Sequence, residues 1–319
     1  MPVTLLEAKV GMADKVAQAI VDEFRMNSAL LDRLTFDDAI SPGTGGSTLT
    51  YGYMKLKTPA TAQGRSINEE FTPSKASKEK ASVDLKILGT AYEIDRVIAK
   101  TGGTAFTNEV EFQANAANKA TINLFHRNFI KGNSTSNGKE FDGLEKIIGA
   151  DFVDGSGVTL TGTMTEEKAD AIIDLLDGAI ATMIRKPDLI IASSKTLVKL
   201  KAAARKAGYF TRSEDSFGKK VDAYDGIQFM DMETYYDGSK SVEIVDDGDI
   251  FLVCLGLDGV HGVSPISKDA FIYANLPDYT QAGAVKEGDV EMVTAIAVKN
   301  TRAVAWIKGM VMQASNDEV

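Results

Sequence analysis

Residues 104–131, TAFTNEVEFQANAANKATINLFHRNFIK, decide the fold, because this long stretch contains neither glycine nor proline. Apolar and small side chains recur along it at helical spacing: Phe106, Val110, Ala114, Ala117, Thr121, Leu124, Phe125 and Asn128. We therefore predict one helix over these 28 residues, roughly 42 Å long at about 1.5 Å per residue. Thr104 or Thr107 is the expected N-cap, and Gly132 the expected left-handed residue after the last turn.

The composition restricts the classes of function. The chain has 319 residues, of which 44% are apolar and 25% charged, and it can bury a large core in one to three domains. It has no run of about 18 apolar residues, so no membrane span is predicted. A single cysteine excludes an internal disulfide framework, and two histidines exclude a His-rich metal site. The net charge of −10 argues against tight nucleic-acid binding but suits a protein that lies beside DNA.

On the N-terminal side of the helix, a polar segment separates two predicted strands. The alternating apolar residues are Leu49, Tyr51 and Tyr53 before the segment, and Val83, Leu85 and Ile87 after it. The segment itself, residues 57–82, is nearly free of large apolar side chains. We therefore predict an extended hairpin arm that has no core of its own. A polar excursion of this length inside a compact domain is typical of a functional element.

On the C-terminal side, helices and strands alternate. We predict a helix over 165–184 with Thr165 as N-cap, a buried strand over 187–192, and a helix over 195–207 capped by Ser193 or Ser194. Further strands are predicted at 224–230, 242–245, 250–255, 290–298 and 304–307. The architecture is therefore of the α+β class.

The sequence shows no arrangement that indicates catalysis, and we predict neither an enzyme nor a cofactor or metal site. The run from Gly132 to Lys139 has five residues between its glycines instead of the four of a phosphate-binding loop, and it follows a helix. Residues 246–249, DDGD, lack the alternating ligands of a calcium loop. His126 and His261 have no local partner for a nucleophile triad.

The order of elements resembles the major capsid protein of tailed double-stranded DNA bacteriophages, the Hong Kong 97-type fold. Three stretches carry the resemblance in addition to the order: PDLIIASSKTLVKLK at 187–201, YDGIQFMDM at 224–232 and VAWIKG at 304–309. The first resembles the strand and helix of the axial domain, and the second resembles the strand that follows. The third resembles the closing strand of the peripheral domain. The likeness covers about residues 1–312.

The resemblance implies a division of the chain. Residues 1–45 would be the N-terminal arm, 46–100 the extended loop, 101–165 the peripheral domain with its spine helix, and 166–255 the axial domain. Residues 256–319 would return to the peripheral domain and end in a tail. It further implies pentamers and hexamers in an icosahedral shell that encloses DNA without sequence specificity, in a virion assembled in the host cytoplasm.

The implied partners follow from the same resemblance. They are a separate scaffolding protein, a portal protein and decoration proteins, with no membrane. A separate scaffold is expected because no charged coiled coil precedes the N-terminal arm. Two alternatives stay open: an encapsulin-type shell, and an α+β enzyme whose site is assembled from distant residues.

Charge patterning suggests where copies of the chain meet. Residues 185–220 contain ten basic and three acidic side chains, whereas residues 221–258 contain ten acidic side chains and one lysine. Either these flanks pair within one subunit, or the basic flank of one axial domain docks on the acidic flank of the next. The candidate contacts between subunits are Arg65, Glu69, Glu70, Lys75 and Lys78 on the arm, and Lys199, Lys201, Arg205, Asp246, Asp247 and Asp249 on the flanks.

Overall fold

A computed structural model describes residues 28–38, 49–58, 60–97, 104–214, 220–265 and 271–312. The predictions for most of the N-terminal arm and for the tail after residue 312 lie outside the described residues. The helices are α1 (Ala29–Arg33), α2 (Thr104–Lys131), α3 (Leu144–Ile148), α4 (Glu166–Thr182) and α5 (Ser194–Lys206).

The strands are spread over the whole described chain, which confirms the α+β class. They are β1 (Phe36–Asp38), β2 (Thr50–Thr58), β3 (Ser77–Asp84), β4 (Lys86–Asp95), β5 (Val153–Asp154), β6 (Leu189–Ala192), β7 (Phe210–Glu214), β8 (Lys220–Tyr224), β9 (Ile227–Asp231), β10 (Thr234–Tyr236), β11 (Ser241–Glu243), β12 (Ile250–Val253), β13 (Val260–Ser264), β14 (Phe271–Asn275), β15 (Val285–Val298) and β16 (Val304–Lys308).

The predicted long helix is confirmed as α2, with the same first and last residues. Its buried stripe includes Ala114, Ala117, Thr121 and Phe125, and it packs against β4, β15 and α3. The predicted N-cap and Phe106 fall among side chains outside the described part. One stripe of α2 is apolar. A helix of this kind is stabilised mainly by the packing of its apolar stripe rather than by intrinsic helix propensity.

The prediction for Gly132 is wrong, because its φ does not lie in the left-handed region that other described glycines adopt. A Cβ at this position would lie 2.3 Å from the carbonyl oxygen of Phe141 and 2.5 Å from that of Asn128. The chain after the helix crosses back over its end, where the Gly143 N–H donates to the Gly132 carbonyl at 2.8 Å. Glycine is required here by this close approach rather than by backbone conformation.

Two larger sheets organise the remaining strands. One has five strands: β1, β13, β15 and β14 in order, and β4, which also pairs with β15. The other has seven, in the order β5-β16-β12-β6-β9-β8-β7. In β6 and β12 every residue is buried, which explains why their sequences are continuous apolar runs rather than alternating ones. One face of this sheet packs on α4 and α5, and the other face joins the core that contains α2.

The third stretch of the resemblance contains β16. This strand pairs antiparallel with β12, from Val304 opposite Val253 to Ile307 opposite Ile250, within the seven-stranded sheet. The reason is burial on both faces, since Val304 to Ile307 are all buried and only a sheet covered on both sides accommodates such a strand.

The helix caps of the second half agree with the sequence. The Thr165 hydroxyl accepts from the Lys168 N–H at the start of α4, and the Ser193 hydroxyl accepts from the Thr196 N–H at the start of α5. Gly208, just after α5, has a φ of +80°. Among the described helices, none combines the length and apolar character that a bilayer span needs.

Candidate functional site

The predicted arm is confirmed as a hairpin of β2 and β3, which pair from Thr50 opposite Asp84 to Thr58 opposite Ser77. Within the described chain these two strands pair with no third strand. Beyond the ladder, residues 60–76 form a tip in which every side chain is exposed. The arm therefore projects from the subunit as a two-stranded ribbon, a structure of marginal stability when it stands alone.

Side-chain hydrogen bonds replace the ladder in the tip. The Ser74 hydroxyl donates to the Thr61 carbonyl at 2.9 Å and accepts from the Thr61 N–H at 3.0 Å. The Gln63 side-chain amide donates to the Thr72 carbonyl at 2.8 Å. These bonds hold the two legs of the tip together, so the tip has a defined shape before it meets anything else.

The end of the tip is a turn that presents apolar side chains to solvent. Asn68 has a φ of 69°, in the left-handed region that asparagine tolerates. Ile67 and Phe71 are 91% and 58% exposed. Of the predicted arm contacts, Arg65 and Glu69 serve the turn itself. Arg65 donates to the Glu69 carbonyl at 3.1 Å, and the Glu69 carboxylate accepts from the Ser66 N–H at 2.9 Å, which lowers the pKa of Glu69.

The remaining predicted arm contacts, Glu70, Lys75 and Lys78, have exposed side chains. At the other end of the arm, tyrosines fix its root to the body. The Tyr51 hydroxyl donates to Asp37 Oδ2 at 2.5 Å, and the Tyr53 hydroxyl donates to the Val298 carbonyl at 3.2 Å. Burial, followed by the Asp37 carboxylate, raises the pKa of Tyr51.

The charged flanks of the second half pair extensively within one subunit. Lys201 lies 3.0 Å from Asp222, and Lys195 lies 3.1 Å from Asp247. Asp246 pairs with Lys131 at the end of α2, with 2.6 Å between Nζ and Oδ1. Two further predicted contacts bond to main-chain oxygens, Lys199 to Gly162 and Arg205 to Lys201. These contacts favour the alternative in which the flanks stabilise one subunit.

Asp249 is not a surface residue, contrary to its selection as a contact between subunits. It is only 5% exposed. Its Oδ2 accepts from the Trp306 indole N–H at 3.0 Å, and its Oδ1 accepts from the Gly309 N–H at 2.8 Å. Local sequence places Asp249 in a polar turn, but the return of β16 covers it. Its function is to hold the end of β16 rather than to meet a neighbour.

Next to this contact lies Glu145, a residue that sequence reasoning missed. Burial raises its pKa from 4.5 to about 7, opposed by Lys131 and reinforced by Asp246 and Asp249. Asp246 and Asp249 lie more than 100 positions from Glu145 in the sequence, whereas Lys131 lies nearer. Only the tertiary structure brings the three carboxyl groups together, so no local pattern could have indicated the site.

Both histidines are buried. His126 Nε2 lies 2.7 Å from the Ser28 hydroxyl, and this contact joins the start of α1 to α2. Burial lowers the pKa of His126 and that of His261 to about 4, so both rings are neutral at pH 7. Cys254 is buried in the core. Across the described residues, no group of three or more His, Cys, Asp or Glu side chains is placed to hold a metal ion.

An open groove of about 720 Å³ runs between α2 and the β10–β11 hairpin. Ala116, Ala120 and Leu124 line one side, and Tyr235 and Tyr236 line the other. It is mostly apolar and holds no constellation of acid, base and nucleophile.

Comparison with known proteins shows similarity in structure only. No protein-family model matches the chain, and no curated protein matches its sequence. The structure resembles the holo-SrpI encapsulin complex from Synechococcus elongatus, with a TM-score of 0.57, 13% identity, and coverage of 91% of this chain and 90% of that one. It resembles the virus-like particle from Pyrococcus furiosus, with a TM-score of 0.55, 11% identity, and coverage of 93% and 99%.

It also resembles the capsid of Myoviridae phage XM1, with a TM-score of 0.56, 14% identity, and coverage of 88% of this chain and 92% of that one. The three matches cover between 88% and 93% of this chain. The chain therefore has the Hong Kong 97-type capsid fold, and the resemblance predicted from sequence is confirmed at the level of fold.

Proposed function

We propose that the chain is the structural subunit of a closed icosahedral shell, the capsid of a tailed double-stranded DNA phage, assembled from pentamers and hexamers. The observation that carries this proposal is the arm. The arm is a preorganised ribbon of β2 and β3 with an exposed apolar tip, and within the described chain these strands pair with no third strand. Such a ribbon gains stability when a second copy covers it. The proposed partners are a scaffolding protein, a portal and packaged DNA, with assembly in the host cytoplasm.

In this proposal the chain follows the domain plan of the resemblance, except that three strands are assigned by their sheet: β4 to the peripheral domain, and β5 and β16 to the axial domain. The arm spans β2 and β3, the peripheral domain is built on α2 and the five-stranded sheet, and the axial domain on the seven-stranded sheet. Because β16 belongs to that second sheet, we assign residues 304–308 to the axial domain. The flank charges that pair internally are assigned to subunit stability.

A second candidate is an encapsulin-type shell, and the similarity to the holo-SrpI encapsulin complex favours it. Both candidates are shells, so the first measurement is particle size. Sedimentation velocity and negative-stain images of the purified chain should show megadalton closed particles. A chain that sediments as a monomer to tetramer would refute both and favour the enzyme alternative. Particles that contain DNA favour the capsid, whereas particles that contain a protein cargo favour the encapsulin.

The arm can be tested separately by shortening it. Replacing residues 59–76 with Asn-Gly leaves Thr58 opposite Ser77, the register they already have, and closes the ribbon with a two-residue turn. We expect a folded subunit, with an unchanged melting temperature within about 3 °C, that forms no closed shells. The matched control is Asn68→Gly, which keeps the left-handed turn and should assemble normally. Normal shells from the shortened chain would show that the arm is dispensable.

A further inference from the structure

The two histidines of the chain lie beneath its first described elements. These elements are α1, β1 and the root of the arm, and we call them the leading segment, residues 28–38 and 49–53. Ser28 covers His126 of α2, with 2.7 Å between the Ser28 hydroxyl and His126 Nε2. The same hydroxyl accepts from the Leu31 N–H at 3.1 Å. Its own hydrogen therefore finds its acceptor at Nε2, and protonation of that nitrogen would leave this hydrogen without an acceptor.

The second histidine, His261 of β13, is covered by the root of the arm. Its side chain is fully buried, and neither ring nitrogen has a hydrogen-bond partner among the described residues. The Tyr51 ring lies edge to face against it, with 5.8 Å between the ring centroids. Beside it, Phe36 of β1 stands opposite Gly262. A neutral imidazole always carries one N–H, so His261 holds a buried donor that water can satisfy once Tyr51 moves away.

The charged groups near the two rings do not neutralise a proton on either of them. At His261 the facing charges are those of Asp37 and Lys299, which lie 3.7 Å apart, and the Tyr51 hydroxyl donates to the same Asp37 oxygen at 2.5 Å. Beside His126, three charged side chains line the adjoining cavity: Lys119, Asp231 and Glu233. None of the ion pairs in the described part of the chain includes a histidine. A protonated ring therefore has no carboxylate in contact with it.

Burial keeps both rings neutral at pH 7. It lowers the pKa of each histidine from 6.5 to about 4, with a contribution from Lys299 at His261 that Asp37 opposes. A histidine that becomes solvated when its covering residues move away returns to a pKa near 6.5. The covered state is therefore fully favoured above pH 6.5 and loses stability relative to the uncovered state as the pH falls toward 4. From pH 7.5 to pH 5.0 the uncovered population of each ring should rise about 30-fold.

We propose that the two histidines make the attachment of the leading segment sensitive to acid, so that protonation of His126 loosens α1 and protonation of His261 loosens the root of the arm. The inference goes beyond the proposed shell, because it concerns a single chain and applies to either kind of shell. Apolar contacts oppose full release, since Leu30, Leu31 and Leu34 are buried. The expected effect is therefore a larger population of transient openings, with the arm less firmly anchored in acid.

Hydrogen–deuterium exchange of the full-length chain measures these openings. Labelling at pH 7.5 and at pH 5.0, with times corrected for the intrinsic exchange rate, gives the equilibrium constant for opening in each peptide. This constant should rise about 30-fold at pH 5.0 in peptides from 28–36 and from 50–56. The reference is α5, Ser194–Lys206, whose local opening uncovers no histidine and should change less than about threefold.

Two variants assign each opening to its ring. His126→Gln keeps an acceptor for the Ser28 hydroxyl, His261→Phe keeps a ring beside Tyr51, and neither new side chain titrates. Each substitution should abolish the pH dependence of the opening that uncovers its own position and leave the other opening unchanged. Equal increases in a variant and in the wild type would overturn the inference.

The wild-type chain decides the question even if a variant does not fold. Its opening constants should follow a titration between pH 4 and pH 6.5, the interval between the two pKa values of each ring. No increase over this interval, or an increase that begins only below pH 4, where carboxylates titrate, would overturn the inference. Each of these outcomes leaves the shell proposal intact, because particle size tests that proposal separately.

Discussion

The raised pKa of Glu145 can be tested through the pH dependence of the stability of the folded chain. Burial raises its pKa from 4.5 to about 7, so the folded subunit holds a proton there more tightly than the unfolded chain does. The stability from this proton is fully present below pH 4.5 and is lost as the pH rises through 7. Above that window the folded chain contains an ionised, half-buried carboxylate near Asp246 and Asp249.

The substitution Glu145→Gln keeps the size of the side chain and removes its charge at every pH. A change in pKa of this extent corresponds to on the order of 3 kcal/mol, which partial solvent access reduces to about 1–3 kcal/mol. We therefore expect the variant to be more stable than the wild type by about 1–3 kcal/mol at pH 8–9. The difference should shrink toward zero as the pH falls to about 4.5.

The assay is denaturant unfolding followed by the fluorescence of Trp306, the sole tryptophan of the chain. This residue is well placed because its indole donates to Asp249, a neighbour of Glu145. Glu167→Gln, on the exposed first turn of α4, is the matched control, with an expected change within about 0.5 kcal/mol. A variant that is less stable at pH 8, or a difference that does not vary with pH, would refute the reasoning.

Two substitutions test the packing of α2. Ala117→Glu places a charge in the buried stripe. We therefore expect the free energy of unfolding to fall by several kcal/mol and the protein to be insoluble. The control is Ala116→Glu at an exposed position, and a soluble Ala117→Glu variant that melts like this control would contradict the prediction. Gly132→Ala places a Cβ 2.3 Å from the Phe141 carbonyl, and we expect destabilisation by about 1–3 kcal/mol in thermal melts. Gly138→Ala, where a Cβ meets nothing within 4 Å, should melt within about 2 °C of the wild type.

Local patterns predicted the elements that depend on local chemistry. The bounds of α2 follow from the absence of glycine and proline, and the starts of α4 and α5 follow from the hydroxyls of Thr165 and Ser193. The arm followed from alternation on both sides of a polar segment. The caps of α4 and α5 bond within three residues, and the two strands of the arm are consecutive in the chain, so sequence spacing contains this information.

Partners distant in sequence decide what the local patterns left open at β16 and at Asp249. An apolar run such as Val304–Ile307 predicts a buried strand but does not indicate which sheet covers it. The turn containing Asp249 is polar by composition, yet the indole of Trp306 buries it. Glu93 and Glu287 stand opposite each other in the register of β4 on β15. No local pattern could indicate this pair, because almost 200 positions separate the two residues in the sequence.

The position of β16 has a consequence for the order of synthesis. This strand lies between β5 and β12 in the seven-stranded sheet, and β5 precedes it by 150 residues, from Asp154 to Val304. During translation β5 therefore has no strand to pair with until residues 307 and 308 have been added. We expect nascent chains to keep this sheet open, with Asp249 uncovered, until that point. If the chain forms the proposed shell, we expect nucleation to wait until the ribosome has added these residues.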